Sequence, residues 1–176
     1  MTRGGKIVAF IEAYCKIPEG AQVGQPMKLM KFQKQFILDV YDNPHGTSRV
    51  YLSVARKNGK SALIAAVALA HIVGPEAKQN SQIISGARSR DQASLVFKLA
   101  EKMVRLSPDL LKIVRIVPSQ KMLIGLVCNV EYKAISAESG TAHGLSPRLA
   151  ILDEVGQVRG PHDAFIEAIE TAQGAH

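Results

Sequence analysis

A Gly-Lys-Ser tripeptide, Gly59–Ser61, lies between two apolar segments and constrains the fold more than any other feature of this 176-residue sequence. The segment before it, RVYLSV at residues 49–54, has the β-branched and aromatic composition of a buried strand. The segment SALIAAVALAHIV begins at Ser61 and predicts a long apolar helix that ends at Gly74-Pro75. We therefore expect a strand–loop–helix unit with the glycine at the mouth of the helix.

This unit has the chemistry of a phosphate-binding loop. Glycine lets the backbone turn so that successive N–H groups point at phosphate oxygens, and the positive end of the helix adds a favourable field. Lys60 can reach the terminal phosphates of a nucleotide, and the Ser61 hydroxyl can ligate Mg²⁺. Position 54 is valine, where the full phosphate-loop pattern has its first glycine. The alternative for the tripeptide alone is a plain strand–turn–helix connection.

A second candidate is a pair of carboxylates, Asp153 and Glu154, which follows the apolar segment LAIL at residues 149–152. Ligands of open α/β sheets bind beyond the carboxyl ends of the strands, so both acids should emerge at the edge that holds the Gly59 loop. Asp153 could hold Mg²⁺ through water, and Glu154 could polarise the attacking water. A helix N-terminus, where acids are favoured in any case, is the alternative.

The hydrophobic periodicity predicts an α/β fold. The expected helices are 6–15, 31–42, 89–106 and 162–172, and the expected strands are 81–85, 113–117, 122–127, 130–135 and 148–153. We expect the helix at 6–15 to have an apolar face of Ile7, Phe10, Ile11 and Tyr14. The helix at 89–106 should have one of Leu95, Leu99, Met103 and Leu106. Alternating strands and helices indicate a mainly parallel sheet, and the strands at 113–135 suggest an antiparallel insertion.

The spacing of the two motifs narrows this fold class. Ninety-three positions separate Lys60 from Asp153, which leaves room for a βα unit and a strand-rich insertion. Such spacing fits the branch of P-loop NTPases that has an additional strand and a catalytic glutamate, the ASCE type. This branch predicts hydrolysis coupled to movement rather than phosphorylation of a small molecule.

Charge and cysteine content restrict the partners and the compartment. Residues 1–60 carry ten basic and four acidic side chains, a net charge of +6, which favours phosphate-rich partners. The two cysteines provide neither a disulfide framework nor a zinc-ligand spacing. The most apolar run, residues 62–73, is too short to cross a bilayer, and we see no secretory signal. We therefore expect a globular protein of a reducing compartment, not a membrane protein, a secreted mini-domain or a fibre.

The loop ARKNGKS, residues 55–61, places an arginine before a short phosphate loop. It resembles the deviant loop of the large terminase subunit of tailed bacteriophages and prophages, the ATP-driven motor that packages DNA into capsids. Phe32-Gln33 is similar to the aromatic-Gln element with which that family recognises adenine. The segments SGARSRDQA, 85–93, and SAESGTAHGLSPRLAILDE, 136–154, also look like that family.

The resemblance implies a role for each matching residue. It implies contacts to phosphates and magnesium from Lys60 and Ser61, a metal-binding acid at Asp153 and the hydrolytic glutamate at Glu154. Arg56 would contact the γ-phosphate as a sensor or arginine finger, a role that suits a guanidinium. The nucleotide-binding set implied is Gln33, Arg56, Lys57, Asn58, Gly59, Lys60 and Ser61. The alternatives are a solvated loop cation for Arg56 and a surface helix residue for Gln33.

The resemblance also implies the setting in which the chain works. It implies ATP and Mg²⁺ as ligands, double-stranded DNA held through its phosphates, a small terminase subunit and a portal as partners, a homo-oligomeric ring and the host cytoplasm. We expect one ATPase domain over 1–176, with a helical adenine-recognition segment at 1–48 and a P-loop core at 49–176. A nuclease domain and nuclease activity are not expected of this chain. The alternatives are another nucleic-acid motor of the helicase kind and a non-catalytic nucleotide-binding fragment.

Overall fold

The structure is a computed structural model, and it describes residues 1–54, 59–136 and 147–152. The described residues form five α-helices: α1 Arg3–Tyr14, α2 Lys31–Tyr41, α3 Lys60–Ile72, α4 Arg90–Leu106 and α5 Pro108–Ile113. The strands are β1 Gln82–Ala87, β2 Val114–Val117, β3 Met122–Gly125, β4 Val130–Ser136 and β5 Leu149–Leu152, with a 3-10 turn at Pro118–Gln120. The expected helix at 162–172 lies outside the described residues.

The five described strands form one mixed sheet in the order β2-β3-β4-β1-β5. Strand β1 lies in the centre of the parallel part and pairs with β4 on one side and β5 on the other. Strands β2, β3 and β4 pair antiparallel at the other side of the sheet. The predicted α/β fold, with parallel strands and an antiparallel insertion, is confirmed.

Helices α3 and α4 lie side by side against one face of this sheet. The face consists of alternate strand residues, because successive strand side chains point to opposite sides. Tyr132 of β4 and its lateral neighbours Ile83 and Leu123 are fully buried there. Helix α3 presents a run of alanines, and their small side chains let the sheet and α4 approach closely; these are Ala65, Ala66, Ala68 and Ala70.

The direction of α3 follows from a close contact at Gly125. A Cβ at Gly125 would collide with the carbonyl oxygen of Ile72, the last residue of α3. Gly125 pairs with Val130, the first residue of β4, so α3 ends at the amino ends of the parallel strands. A helix of 13 residues is about 20 Å long. The first turn of α3 therefore lies toward the edge formed by the carboxyl ends of β1, β4 and β5.

The prediction of a buried strand at 49–54 is wrong for this structure. These residues adopt no strand, Tyr51 is 76 % exposed, and Val50 is exposed as well. A strand needs a neighbour for its backbone N–H and C=O groups, and in the described sheet no strand pairs with this segment. Leu52 alone lies against the hydrophobic core. The β-branched composition therefore overstated the burial of this segment.

The buried face of α4 is rotated from the one expected. Leu99 and Met103 are buried as predicted, but Leu95 is 39 % exposed and Leu106 is exposed too. The buried residues centre on the column formed by Val96, Phe97, Ala100, Met103 and Val104. This column points at α3 and the sheet, and the two leucines flank it at the solvent boundary.

The expected apolar face of α1 holds for Ile7, Phe10 and Ile11, which are buried. Tyr14, the last residue of the helix, is exposed and rests its ring against Phe10, with the centroids 5.5 Å apart. Cys15 is buried and free, and burial raises the pKa of its thiol to about 12. Every helix in the described parts of the chain is too short or too polar to cross a bilayer.

Four polar side chains join α1, α2 and α3 at the end of α3 that lies away from Gly59, and we call them the anchor cluster: Arg3, Tyr41, His71 and Glu76. Arg3 donates from Nε and Nη2 to the two carboxylate oxygens of Glu76, at 2.7 and 2.6 Å. The Tyr41 hydroxyl lies 2.7 Å from Nε2 of His71. The Arg3 guanidinium also lies over the Tyr41 ring, 5.2 Å from its centroid. The cluster thus fastens both N-terminal helices to α3.

The anchor cluster disfavours a proton on its histidine. Burial lowers the pKa of His71 to about 4, and among the described residues nothing hydrogen-bonds its Nδ1. Burial would raise the pKa of the Glu76 carboxyl, but its hydrogen bonds to Arg3 and the charge of Arg3 outweigh this and lower it. Both shifts therefore make the folded state less stable in acid than at neutral pH.

We predict that acid destabilises the protein through His71. The unfolded side chain takes up a proton near pH 6.5 and the folded one only near pH 4, so stability is complete above pH 6.5 and falls between these values. The loss is on the order of 2–3 kcal/mol. Urea unfolding of wild type and of His71→Gln between pH 4 and 7 should show a flatter pH dependence in the variant.

The matched control is His45→Gln, because His45 is exposed on a loop. This variant should keep the wild-type pH dependence. Equal slopes for wild type and His71→Gln would contradict the assignment.

Candidate functional site

Gly59 begins α3 in a conformation that glycine adopts without strain. Its φ of 72° and ψ of 20° lie in the left-handed region, which costs other L-residues about 1–2 kcal/mol. The helix then starts at Lys60, and the N–H of Leu63 donates to the Gly59 carbonyl at 2.9 Å. The prediction of a glycine turn at the mouth of a long apolar helix is therefore confirmed, with the helix one residue longer at its start.

The first turn of α3 has the electrostatics of an anion site. Its N-cap provides no side-chain hydrogen bond, and no acidic residue lies in the turn. Lys60 adds a positive charge to the end of the helix at which the dipole already favours an anion. Helix α4 begins differently: Ser89 accepts a hydrogen bond from the N–H of Gln92, and Asp91 lies in the first turn.

Gln33 lies against this turn, 26 positions earlier in the sequence. Its side chain is buried, with only 6 % of the residue exposed, so the alternative of a surface helix residue is wrong. Its Oε1 accepts a hydrogen bond from the backbone N–H of Met30 at 2.9 Å. Its Nε2 lies 3.4 Å from the point that a Cβ on Gly59 would occupy. Phe32, the aromatic neighbour, is exposed beside it.

The remaining predicted site residues lie outside the described part of the chain. These are Arg56, Lys57 and Asn58 before the glycine, and Asp153 and Glu154 after β5. Strand β5 runs parallel to β1, so its last residue, Leu152, lies at the carboxyl-end edge of the sheet, toward which the first turn of α3 also lies. The roles expected of these five residues stay predictions.

The described residues suit a magnesium ion that is shared with phosphates. In the described ranges no three His, Cys, Asp or Glu side chains gather into a metal cluster. Ser61, partly buried in the first turn of α3, offers a hydroxyl oxygen. Mg²⁺ commonly takes one or two protein oxygens and completes its shell with water and substrate phosphates. The hydroxyl of Ser61 therefore fits Mg²⁺ better than it fits a metal that needs a full protein cage.

Sequence reasoning missed the hydrogen bond between Tyr41 and His71, which links α2, the helix that carries Gln33, to α3. No local pattern connects positions 30 apart, and a tyrosine at a helix end gives no signal of its own. The one available signal was a histidine inside the apolar run of α3, which needs a polar partner once it is buried.

Comparison with known proteins adds independent findings. The family model described as "Terminase large subunit, ATPase domain" matches residues 24–173. The large terminase subunit of Enterobacteria phage HK97 is 68 % identical over 176 residues, which is 100 % of this chain and 35 % of that protein. The chain thus spans about a third of the length of this relative.

Two solved structures of large terminases are similar to this chain, at different levels of sequence identity. The crystal structure of the HK97 large terminase superposes with a TM-score of 0.94 at 66 % identity, over 100 % of this chain and 36 % of that chain. The large terminase ATPase domain of Thermus phage P74-26 has a TM-score of 0.54 at 23 % identity, over 68 % of this chain and 52 % of that chain. The latter shows a shared fold alone.

We predict that Gly59→Ala lowers the free energy of unfolding by about 1 kcal/mol, the strain of a left-handed alanine. The distance of 3.4 Å to Gln33 is ordinary contact, so crowding should add little. Urea unfolding measures the loss. Gly46→Ala is the matched control, since Gly46 has a φ of 75° and open space around the added carbon. A loss at position 59 two to three times that at position 46 would show that the methyl group displaces Gln33.

Proposed function

The chain belongs to the family of large terminase subunits and corresponds to their ATPase domain, and we propose that it binds ATP with Mg²⁺ at the Gly59 turn and hydrolyses it. The observation that carries the proposal is the contact between two distant parts of the sequence. The first turn of α3, which favours an anion, lies against the buried amide of Gln33. A nucleotide has one group suited to each, a polyphosphate and a base.

The polyphosphate would lie on the first turn of α3. Backbone N–H groups at a helix start bind phosphate oxygens, and the dipole favours the negative charge. Lys60 would neutralise charge on the terminal phosphates, at the end of the helix where the dipole also favours an anion. The Ser61 hydroxyl would hold Mg²⁺, which neutralises phosphate charge when bound.

The base would lie beside Gln33. The amide oxygen of this residue is engaged by the Met30 N–H, whereas its NH₂ group faces Gly59. An NH₂ group can donate to the ring nitrogens of adenine. The exposed ring of Phe32 offers an apolar surface next to it. This arrangement supports the base-recognition role that the resemblance implies for Gln33.

The hydrolytic step is assigned to residues after β5 and before Gly59. We propose Asp153 as the acid that holds Mg²⁺ through water, Glu154 as the residue that polarises the attacking water, and Arg56 as the cation on the γ-phosphate. Lys57 and Asn58 would complete the loop. What supports this is the direction of β5, which brings the chain to the edge toward which α3 begins.

We propose further that the domain acts as part of a motor that couples ATP hydrolysis to movement of double-stranded DNA. The supporting features are the family membership and the basic N-terminal region, in which Lys6, Lys28 and Lys31 are exposed. The proposed partners are the small terminase subunit, the portal and further copies of the chain in a ring. The proposed setting is the host cytoplasm.

We predict that Lys60→Ala weakens Mg²⁺·ATP binding roughly 10- to 100-fold, the loss expected when one charged hydrogen bond to phosphate is removed. Isothermal calorimetry measures the affinity. Lys98→Ala is the matched control, because Lys98 is an exposed lysine of α4, and it should bind as wild type does. Equal affinities for wild type and Lys60→Ala would contradict the assignment of the phosphate site to the first turn of α3.

Phosphate release measured on the same samples separates catalysis from binding. Slow release that Lys60→Ala abolishes is the expected result. Tight binding without any release would favour the alternative of a non-catalytic nucleotide-binding fragment.

We predict that DNA binding weakens steeply with salt, because each neutralised phosphate releases counterions. Fluorescence anisotropy between 50 and 200 mM salt gives the slope, in a range where roughly 0.9 of a log unit per log unit of salt is lost per phosphate contact. The double variant Lys28→Gln/Lys31→Gln should reduce this slope by about one to two. The control Lys98→Gln/Lys112→Gln, outside the basic N-terminal region, should not. An affinity that salt leaves unchanged would contradict phosphate-based binding.

A further inference from the structure

We propose that Tyr41 and His71 are positioning residues for base recognition, because their hydrogen bond holds α2 on α3 and thereby holds Gln33 against the Gly59 turn. The proposal rests on the proposed function, since it assumes that Gln33 faces the base of a bound nucleotide. Neither residue touches the Gly59 turn, as they lie at the other ends of α2 and α3. Their action would be mechanical, through the helix that carries Gln33.

Gln33 is held so that its amide would move only together with α2. The side chain is buried, and its Oε1 is bonded to the N–H of Met30 at the start of α2. This bond fixes the amide relative to the first turn of α2. The distance between the Gln33 amide and Gly59 therefore depends on how α2 as a body lies against α3.

We take the middle of α2, where Ile37 lies, as the point about which the helix would tilt. Ile37 is fully buried in the hydrophobic core, four residues after Gln33 and four before Tyr41. Each interval corresponds to about 6 Å along the helix. A tilt about Ile37 that moves Tyr41 by about 1 Å thus moves Gln33 by about the same distance in the opposite direction.

Hydrogen bonds join the last turn of α2 to both α3 and α1. The Tyr41 hydroxyl lies 2.7 Å from His71 Nε2 on α3, and the Asp42 carboxylate accepts from the N–H of Gly4 on α1 at 2.7 Å. Arg3 closes the end by lying over the Tyr41 ring while it pairs with Glu76. Burial raises the pKa of Tyr41 and lowers that of His71, so the bond joins a neutral phenol to a neutral imidazole.

Helix α3 provides the partner for both contacts, one at each of its ends. Gln33 lies against Gly59 at the start of α3, and Tyr41 bonds to His71 near its end, so α2 runs in the same direction as α3. Helix α2 itself packs chiefly against α1, which also contacts α3. Helix α3 is buried between the sheet, α4 and α1, and its position is set by that packing. The Tyr41–His71 bond therefore ties the last turn of α2 directly to the helix that begins at the phosphate turn.

The test compares two ligands that share the phosphate contacts but differ in the base, Mg²⁺·ATP and magnesium-bound inorganic triphosphate. In Tyr41→Phe the hydroxyl is lost while the ring stays, so α2 can tilt. We expect the affinity for ATP to fall roughly three- to tenfold, the loss of one weakened hydrogen bond, with the affinity for triphosphate unchanged. In steady state, KM for ATP should rise by the same factor and kcat should stay. His71→Leu, which removes the same bond from the other helix and places an apolar side chain in an apolar helix, should give the same ratio.

Two tyrosine variants serve as controls. Tyr132→Phe removes another buried hydroxyl contact, the one to Ser85 Oγ at 2.5 Å, and should lower the unfolding temperature without changing the ratio of the two affinities. Tyr14→Phe changes an exposed ring at the end of α1 and should change neither quantity. A ratio that falls equally in Tyr132→Phe would show that general loosening of the fold, not the position of α2, weakens base recognition, and it would overturn the proposal.

A double-mutant cycle shows whether Tyr41 acts through Gln33. In a Gln33→Ala background, Tyr41→Phe should have no further effect on ATP affinity, whereas independent effects would multiply and contradict the mechanism. The failure of the proposed function has a different signature: wild type would then bind neither ligand, or Lys60→Ala would bind both as wild type does. A Lys60-dependent wild type whose ATP-to-triphosphate ratio survives Tyr41→Phe and His71→Leu overturns the positioning proposal alone.

Discussion

The left-handed turn at Gly59 is the constraint on which the candidate site depends. A residue with a side chain would be strained in this conformation, and glycine also leaves the first turn of α3 without a side-chain cap. A Cβ built on this turn would lie 3.4 Å from the amide nitrogen of Gln33, so the phosphate-binding and base-binding candidates meet at one residue. The long apolar helix that follows then fixes this point to the sheet, because α3 is buried along most of its length.

Much of this could be predicted from short-range patterns. The apolar runs at β1, β4 and β5, the strand-rich segment before β4 and the helix after Gly59 all carry periodicities that local physics reads directly. The Gly59–Ser61 tripeptide also fixed where the helix starts to within one residue. Helix α5 was missed although Ser107 and Pro108 form a typical helix start, with the serine as N-cap and the proline in the first turn.

The failures arose where burial is decided by partners that the sequence does not name. Residues 49–54 have strand composition, yet no described strand pairs with them and Tyr51 is largely exposed. Leu95 looks like a core leucine, but the column through Ala100 faces α3 instead. The contact of Gln33 with Gly59 and the bond of Tyr41 to His71 span 26 and 30 positions, and only the tertiary arrangement of α2 and α3, both of which contact α1, creates them.

We propose that one magnesium-bound polyphosphate lies between the start of α3 and the carboxyl end of β5. Paramagnetic broadening of backbone amide signals by Mn²⁺ in place of Mg²⁺, with ATP present, measures proximity to the ion directly. We expect the signals of Ser61 and Leu152 to be lost first, while those of Lys78 and Asn129, which precede β1 and β4 at the amino-end edge of the sheet, persist. Broadening centred on Lys78 and Asn129, with Ser61 and Leu152 unaffected, would contradict it.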